Sequence, residues 1–268
     1  MIRTPAVAGR FYPGDVDSLM DEVEGYIRRN VAKSHALGVV APHAGFMYSG
    51  GVAGAVYSRV EIPDTVILLG PNHTGDGPRV SLMSEGSWSM PFGSVAIDTE
   101  LAHEILRVSP MIRHDTLAHI YEHCLETQIP FMQYFRRDFK IVPICLMRVG
   151  YEVCEEVSRE IVRAITALKR SSVLIVASSD MTHYESHKSA SKKDRVAIDL
   201  ILQRDPKGLY TTVQNEDITM CGVIPATVML LACNEMGAKE CELVKYMTSG
   251  EVSGDLDSVV GYAGIIVK

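Results

Sequence analysis

Residues 173–183 read VLIVASSDMTH, an apolar β-branched run that ends in a polar turn and a histidine. Two other stretches have the same layout, GVVAPH at 38–43 and VILLGPNH at 66–73. Short apolar runs bounded by turn residues are typical of strands buried on both faces of a parallel sheet. Open parallel sheets bind their ligands at the carboxyl ends of the strands. The three runs therefore predict a parallel sheet with one functional edge.

Strands and helices alternate along the chain, which predicts an α/β fold with a layered sheet flanked by helices. No repeat, low-complexity tract or linker is present, so we expect a single domain over residues 1–268. The predicted strands are 37–41, 65–70, 140–146, 173–177, 241–247 and 259–267, with a further β excursion at 79–97. The predicted helices follow Asp15 and cover about 50–56, 99–108, 119–136, 153–168, 189–203, 206–214 and 223–236.

Composition excludes several classes of partner. The 268 residues carry a net charge of −7 without a block of basic residues, which argues against nucleic acid or an anionic membrane. No signal peptide and no apolar run of the ~20 residues needed to span a bilayer are evident, so we expect a cytoplasmic location. Six cysteines without regular spacing favour reduced thiols over a disulfide framework.

The polar residues after the three strands are candidates for a shared site. A loop histidine by itself is most often a surface or hydrogen-bonded residue, but His43 and His73 occupy equivalent positions after consecutive strands. Asp180 and His183 lie three residues apart, so a helical turn would place them on one side. Such a pair can fix a tautomer, support a metal ligand or exchange protons. The alternative is an N-cap aspartate beside a surface histidine.

Cys221 differs from four other cysteines, which we interpret as small buried apolar residues: Cys124, Cys145, Cys233 and Cys241. It precedes Gly222 and Pro225 at a turn into an apolar helical stretch. A helix N-terminus lowers a thiol pKa and favours the thiolate, which binds metal or attacks an electrophile. Two neutral imidazoles and one thiolate would suit zinc, copper or ferrous iron.

Residues 118–126 read AHIYEHCLE, at the start of the predicted helix 119–136. On that helix His119 and His123 would form an i,i+4 pair, and so would Glu122 and Glu126. Each pair could converge on one ligand, but solvent-facing charged pairs are the commoner arrangement. The role of these residues stays open. No phosphate loop, nucleophile elbow or dinucleotide fingerprint is visible.

Six motifs together resemble the Memo family from end to end of the chain. They are RTPAVAGRFYP at 3–13, APHAG at 41–45, GPNH at 70–73, EHCLE at 122–126, SSDMTHY at 178–184 and CG at 221–222.

The resemblance implies an α/β domain similar to the class III (LigB-type) extradiol dioxygenases, which hold non-haem iron with two histidines and a glutamate. It implies His43, His73 and Cys221 as the metal ligands, with Asp180 and His183 lining the same cleft. A cysteine in place of the glutamate means that ring cleavage is not implied. Animal members are linked to cell motility, phosphotyrosine-peptide binding and copper or iron handling.

Two classes of function follow. One is a metal-dependent redox enzyme that holds copper or iron, with Asp180 and His183 as a proton relay. The other is a non-catalytic module that holds a peptide or small-molecule ligand in the same cleft. A zinc hydrolase is a weaker third expectation.

Overall fold

The computed structural model describes all of residues 1–268. The strands are β1 (Ile2–Arg3), β2 (Gly38–Ala41), β3 (Thr65–Pro71), β4 (Val80–Leu82), β5 (Ser87–Trp88), β6 (Val95–Ile97), β7 (Arg113–His114), β8 (Lys140–Leu146), β9 (Val173–Ser178), β10 (His183–Glu185), β11 (Cys241–Thr248) and β12 (Val259–Val267). The helices are α1 (Val16–Tyr26), α2 (Phe46–Tyr57), α3 (Thr99–Val108), α4 (Leu117–Ile120), α5 (Ile129–Phe135), α6 (Tyr151–Ala167), α7 (His187–Leu202), α8 (Pro206–Asn215), α9 (Val223–Glu235) and α10 (Gly250–Ser253).

All 12 strands join one sheet, whose centre runs in the order β8, β3, β9, β2. These four strands are mutually parallel, and β12 joins β2 in the antiparallel sense. Helix α9 packs on β2, β3 and β9, and α2 packs on β2, β11 and β12. A cluster of 74 buried residues fills the layers. The predicted α/β class is confirmed.

Local sequence signals locate most helix starts correctly. The carboxylates of Asp15, Asp98 and Asp205 accept hydrogen bonds from the first-turn amides of α1, α3 and α8, as capping aspartates do. Pro206 is the first residue of α8, where its missing N–H costs nothing. The predicted helix near 50–56 is confirmed and extends back to Phe46.

The predicted helix over 119–136 is wrong. The chain forms α4, an irregular stretch, a 3-10 turn at Glu126–Gln128 and then α5. The Glu122 carboxylate accepts hydrogen bonds from the backbone N–H groups of His123 and Cys124, at 2.9 and 3.0 Å. These two N–H groups therefore do not form the backbone hydrogen bonds that a continuous helix would need. The expected i,i+4 pairs therefore do not share a helix face.

The carboxyl edge of the central strands collects the polar residues predicted for a site. His43 follows β2, His73 follows β3, and Asp180 follows β9, two residues beyond each strand end. Because the three strands are adjacent and parallel, their ends bring these side chains to one place. None of the helices is long and apolar enough to cross a membrane.

Candidate metal centre

Three imidazoles meet at the carboxyl edge of the sheet. Ligand nitrogens of His43, His73 and His123 all lie within 4.8 Å of one another. The ring centroids are 5.2 Å apart for His43 and His73, and 4.7 Å apart for His73 and His123. Nitrogens bound to a common ion at 2.0–2.1 Å lie at most about 4 Å apart, so a small contraction would bring the three into coordination.

The tautomer of His43 follows from its neighbours. Ser178 donates its only hydroxyl proton to the carbonyl oxygen of Cys124 at 2.7 Å and accepts from Gln128 Nε2 at 3.0 Å. The His43 Nδ1, 2.8 Å from Ser178 Oγ, must therefore be the N–H donor. Burial and the two neighbouring histidines hold the pKa of His43 well below its usual value. His43 is thus a neutral imidazole with a lone pair on Nε2.

Glu122 organises the other two histidines. Its Oε1 is 2.9 Å from Nδ1 of His73 and 3.4 Å from Nδ1 of His123, and its Oε2 accepts the His73 N–H at 2.6 Å. Burial by itself raises the pKa of Glu122, but hydrogen bonds and charge from His73 outweigh it and lower the pKa to about 2. A carboxylate that holds Nδ1–H leaves Nε2 free, as in carboxylate–histidine–metal arrangements.

Cys221 lies against His43. Its Sγ is 3.3 Å from His43 Nε2 and accepts the Asp180 N–H at 3.3 Å. Its loop approaches β9 closely, because a Cβ at Gly222 would lie 2.4 Å from the carbonyl oxygen of Ser178. A nitrogen and a sulfur bound to one tetrahedral ion at 2.0–2.1 and 2.3 Å are about 3.5 Å apart. The observed spacing fits that arrangement.

The expected low pKa of Cys221 is wrong. Burial, followed by the charge of Asp180, raises the pKa of this thiol far above its usual range. These effects outweigh the start of α9, since Gly222 and not Cys221 is the N-cap residue. Cys221 is therefore a thiol whose S–H points to the lone pair of His43, and it needs a neighbouring cation to become a thiolate.

Asp180 and His183 do not form the pair that a helical turn would have given. The turn after β9 is not helical, and His183 begins β10. Asp180 Oδ1 accepts the backbone N–H of His43 at 2.8 Å, and burial raises the pKa of this carboxyl. His183 Nδ1 is 2.9 Å from the carbonyl oxygen of Thr219, which can only accept, so His183 carries its proton on Nδ1. Its Nε2 is left as a proton acceptor.

A second group, His73, Glu122 and Cys124, has ligand atoms at metal-binding spacing but is already satisfied. The Cys124 thiol is buried and donates to the carbonyl oxygen of Pro71 at 3.2 Å, and burial raises its pKa strongly. Within this group, Glu122 holds His73 in place through the His73 backbone N–H and Nδ1. His119 lies elsewhere, fully buried with Nδ1 3.4 Å from Cys145 Sγ and a pKa lowered to about 4 by burial.

A cavity of about 430 Å³ opens beside the cluster, with His73 and Cys221 in its wall. The rest of the wall is largely apolar, and Arg148 and Asp217 are its charged residues. Pockets of this size and character hold small organic molecules.

These features define a class: an α/β domain with imidazoles and a thiol at the carboxyl edge of a parallel sheet. The family model described as "Memo-like protein" matches residues 3–266. Proteins described as "MEMO1 family protein" from Methanopyrus kandleri and Methanococcoides burtonii are 42% and 45% identical, and each alignment covers 100% of this chain and 99% or 100% of the relative. A relative with the same description from Aquifex aeolicus is 44% identical, covering 99% of this chain and 98% of its own. The chain belongs to the Memo family.

A solved structure of an uncharacterized protein from Escherichia coli K12 has the same fold, with a TM-score of 0.55 and 12% identity. The superposition covers 85% of this chain and 98% of that one.

Of the residues predicted for the site, the structure brings His43 against Cys221 and within reach of His73. His123 joins them, although its role was left open by the sequence analysis. The available signal was the EHCLE motif at 122–126, which was misplaced on a continuous helix. Glu122 was missed for the same reason.

Proposed function

We propose that this protein binds one copper or iron ion with His43, His73 and Cys221 and uses it in redox chemistry on a small molecule. His123 supplies a further nitrogen. The observation that carries the proposal is the convergence of three ring nitrogens within 4.8 Å. The Nδ1 atoms of His43 and His73 are held by Ser178 and Glu122, so the Nε2 atoms are free to bind a metal.

The donor set favours copper or iron over magnesium or calcium. Imidazole nitrogen suits copper, iron and zinc, whereas magnesium and calcium prefer oxygen ligands. The thiol makes the set softer than two histidines with a carboxylate, so copper(I) should compete well. A bound copper or iron ion would supply one-electron exchange with oxygen or substrate.

The surrounding residues then have defined tasks. Asp180 fixes the His43 loop through the backbone N–H, and Glu122 orients the His73 ring through its Nδ1. His183 can accept a proton on Nε2, because its Nδ1–H is bound to Thr219. The adjoining cavity would hold the substrate and exclude most water from it.

Metal titration tests the proposal. Reduced protein is titrated anaerobically with copper(I), iron(II) and zinc(II) against a chromophoric chelator. We expect one ion per chain, and Cys221→Ser should weaken copper(I) binding by at least about tenfold. Cys241→Ser is the matched control, since this half-buried cysteine lies on β11. Oxygen consumption of the loaded protein with a reductant then measures redox activity.

Other results would decide against this function. Absence of copper and iron binding, or equal binding by wild type and Cys221→Ser, would leave the ligand-binding module as the better interpretation. Tight zinc binding with no oxygen consumption would favour the hydrolase.

A further inference from the structure

Two adjoining cavities form a basic cleft on this acidic protein. One has a volume of about 470 Å³ and the other of about 350 Å³, and they share Val31 and Arg59 in their walls. The basic cleft is defined by the six cations that line these cavities, Arg28, Arg29, Lys33, Arg59, Lys245 and Lys268. Six of the chain's 26 lysines and arginines therefore gather here although the net charge is −7.

The basic cleft lies at the opposite end of the sheet from the candidate metal centre. Arg59 follows the end of α2, which begins close to His43 and runs away from the carboxyl edge. Strand β12 is antiparallel to β2 and pairs Val267 with Gly38, the first residue of β2. Lys268 is therefore at the amino edge. The cleft is a separate feature and not an extension of the metal centre.

Carboxylates neutralise only part of this charge. Glu242 binds both Arg59, at 2.5 Å, and Lys268, at 3.3 Å, and Glu24 pairs with Arg29. Lys245 has no carboxylate within ion-pair distance. Burial and the neighbouring Arg28 lower its pKa. Cations crowded in this way repel one another, and a bound anion would relieve the repulsion.

Protection of a sheet edge explains only part of the cluster. Strand β11 pairs with β12 alone, so it is an edge strand, and a lysine such as Lys245 discourages pairing with other chains. That role does not require arginines after α1 and α2. Arg59, Lys245 and Lys268 are also partly buried in the cleft, whereas a purely solvated charge would be fully exposed.

We propose that the basic cleft binds a small molecule that carries two or more phosphate groups. Arginine guanidinium groups match phosphate oxygens in a bidentate manner. Two cavities that share Arg59 offer places for successive phosphates, one between Arg28, Arg59 and Lys245 and the other beside Lys33. The apolar part of the wall, at Ile27, Ala55 and Val244, would contact the less polar remainder of the ligand.

Calorimetry with inorganic triphosphate, pyrophosphate, phosphate and sulfate in 0.15 M salt (about 8 Å of screening length) tests this inference. Triphosphate should bind best and sulfate worst. The double variant Arg28→Gln/Lys245→Gln should weaken triphosphate binding by at least about tenfold. Lys192→Gln/Lys207→Gln removes the same charge from exposed positions on α7 and α8 and should change it less than about twofold. The Cys221→Ser protein should bind triphosphate like wild type, which separates this site from the metal centre.

Four results would overturn the inference. The first is equal binding of sulfate and triphosphate, which would mean unspecific charge attraction. The second is an equal loss in the two double variants. The third is no measurable binding at all, which would leave edge protection as the role of the lysine. The fourth is tighter binding of an RNA or DNA oligonucleotide than of triphosphate, which would mean that the basic cleft binds a nucleic acid and not a small molecule.

Discussion

The three histidines of the candidate metal centre differ in what holds their Nδ1 atoms. His43 donates to a serine hydroxyl at 2.8 Å, His73 lies 2.9 Å from a carboxylate oxygen, and His123 lies 3.4 Å from the same oxygen. Short hydrogen bonds fix a ring and raise its basicity as a ligand. His43 and His73 are therefore the better oriented ligands, and His123 is the more adjustable one.

His43 and His183 should contribute differently to metal affinity. His43→Ala removes a proposed ligand and should weaken copper(I) binding by about 100-fold or more, whereas His183→Ala should weaken it by less than about tenfold. The side-chain hydroxyl and the carbonyl oxygen of Thr219 hold His183, which is outside the group of three imidazoles whose nitrogens lie within 4.8 Å of one another. Chelator competition measures both affinities. Equal losses would make His183 a ligand.

At the scale of elements, the N-terminal segment fastens the irregular stretch between α4 and α5. The Arg3 guanidinium donates to the carbonyl oxygens of His119 and Glu122, at 2.7 and 2.6 Å, and pairs with Glu126 at 2.6 Å. Glu126 also accepts from Tyr12 Oη at 2.6 Å. The segment that carries Glu122 and His123 is thereby fixed from a site more than a hundred residues away in sequence.

Breaking this buried ion pair should be costly. The side chains of Arg3 and Glu126 are 1% and 0% exposed, so Arg3→Gln leaves a carboxylate with less compensation in the interior. We expect a loss of about 3–5 kcal/mol in the free energy of unfolding, measured by urea denaturation. Arg159→Gln breaks a surface pair with Glu156 on α6 and should cost less than about 1 kcal/mol. Similar losses in both variants would contradict the structural role of Arg3.

Two glycines on neighbouring helices should respond in opposite ways to alanine. A Cβ at Gly54 of α2 would lie 2.6 Å from the backbone oxygen of Tyr26, whereas a Cβ at Gly25 of α1 meets nothing within 4 Å. Gly54→Ala should therefore destabilise the protein by about 1–3 kcal/mol through overpacking, despite the higher helix propensity of alanine. Gly25→Ala should be neutral or stabilise by up to about 1 kcal/mol. Thermal and urea unfolding measure both, and a stabilised Gly54→Ala protein would refute the close packing.

At the scale of the whole molecule, the six cysteines are free, and only Cys221 and Cys241 are partly exposed. Burial raises the pKa of both thiols, that of Cys241 to about 11, so their reaction near neutral pH should be slow. A thiol reagent should modify two cysteines in the native protein and six after unfolding. One equivalent of copper(I) should protect Cys221 and leave Cys241 reactive. Modification of four or more thiols in the native state would be inconsistent with this burial.

The sheet at this scale has two chemically different ends. The carboxyl edge carries three imidazoles and a thiol, and the amino edge carries the basic cleft. The direction of the strands separates the two sites. Loops that follow a parallel strand lie at the carboxyl edge, and loops that precede it lie at the amino edge.

Sequence by itself determined the elements whose signal is local. Alternating apolar runs placed the central strands, and capping aspartates such as Asp15 and Asp98 marked helix starts, because a side chain within three residues satisfies the first-turn amides. The placement of His43 and His73 after parallel strands was predictable for the same reason.

Only the tertiary structure decided the break near Glu122, the entry of His123 into the cluster and the protonation of Cys221. The Glu122 carboxylate binds the amide of His73, 49 residues away, and that contact competes with the local helix. Burial beside Asp180 raises the thiol pKa of Cys221 against the effect of the helix terminus. These outcomes depend on contacts between groups that are distant in sequence. Helix periodicity and local motifs describe only neighbouring residues, so they cannot predict such contacts.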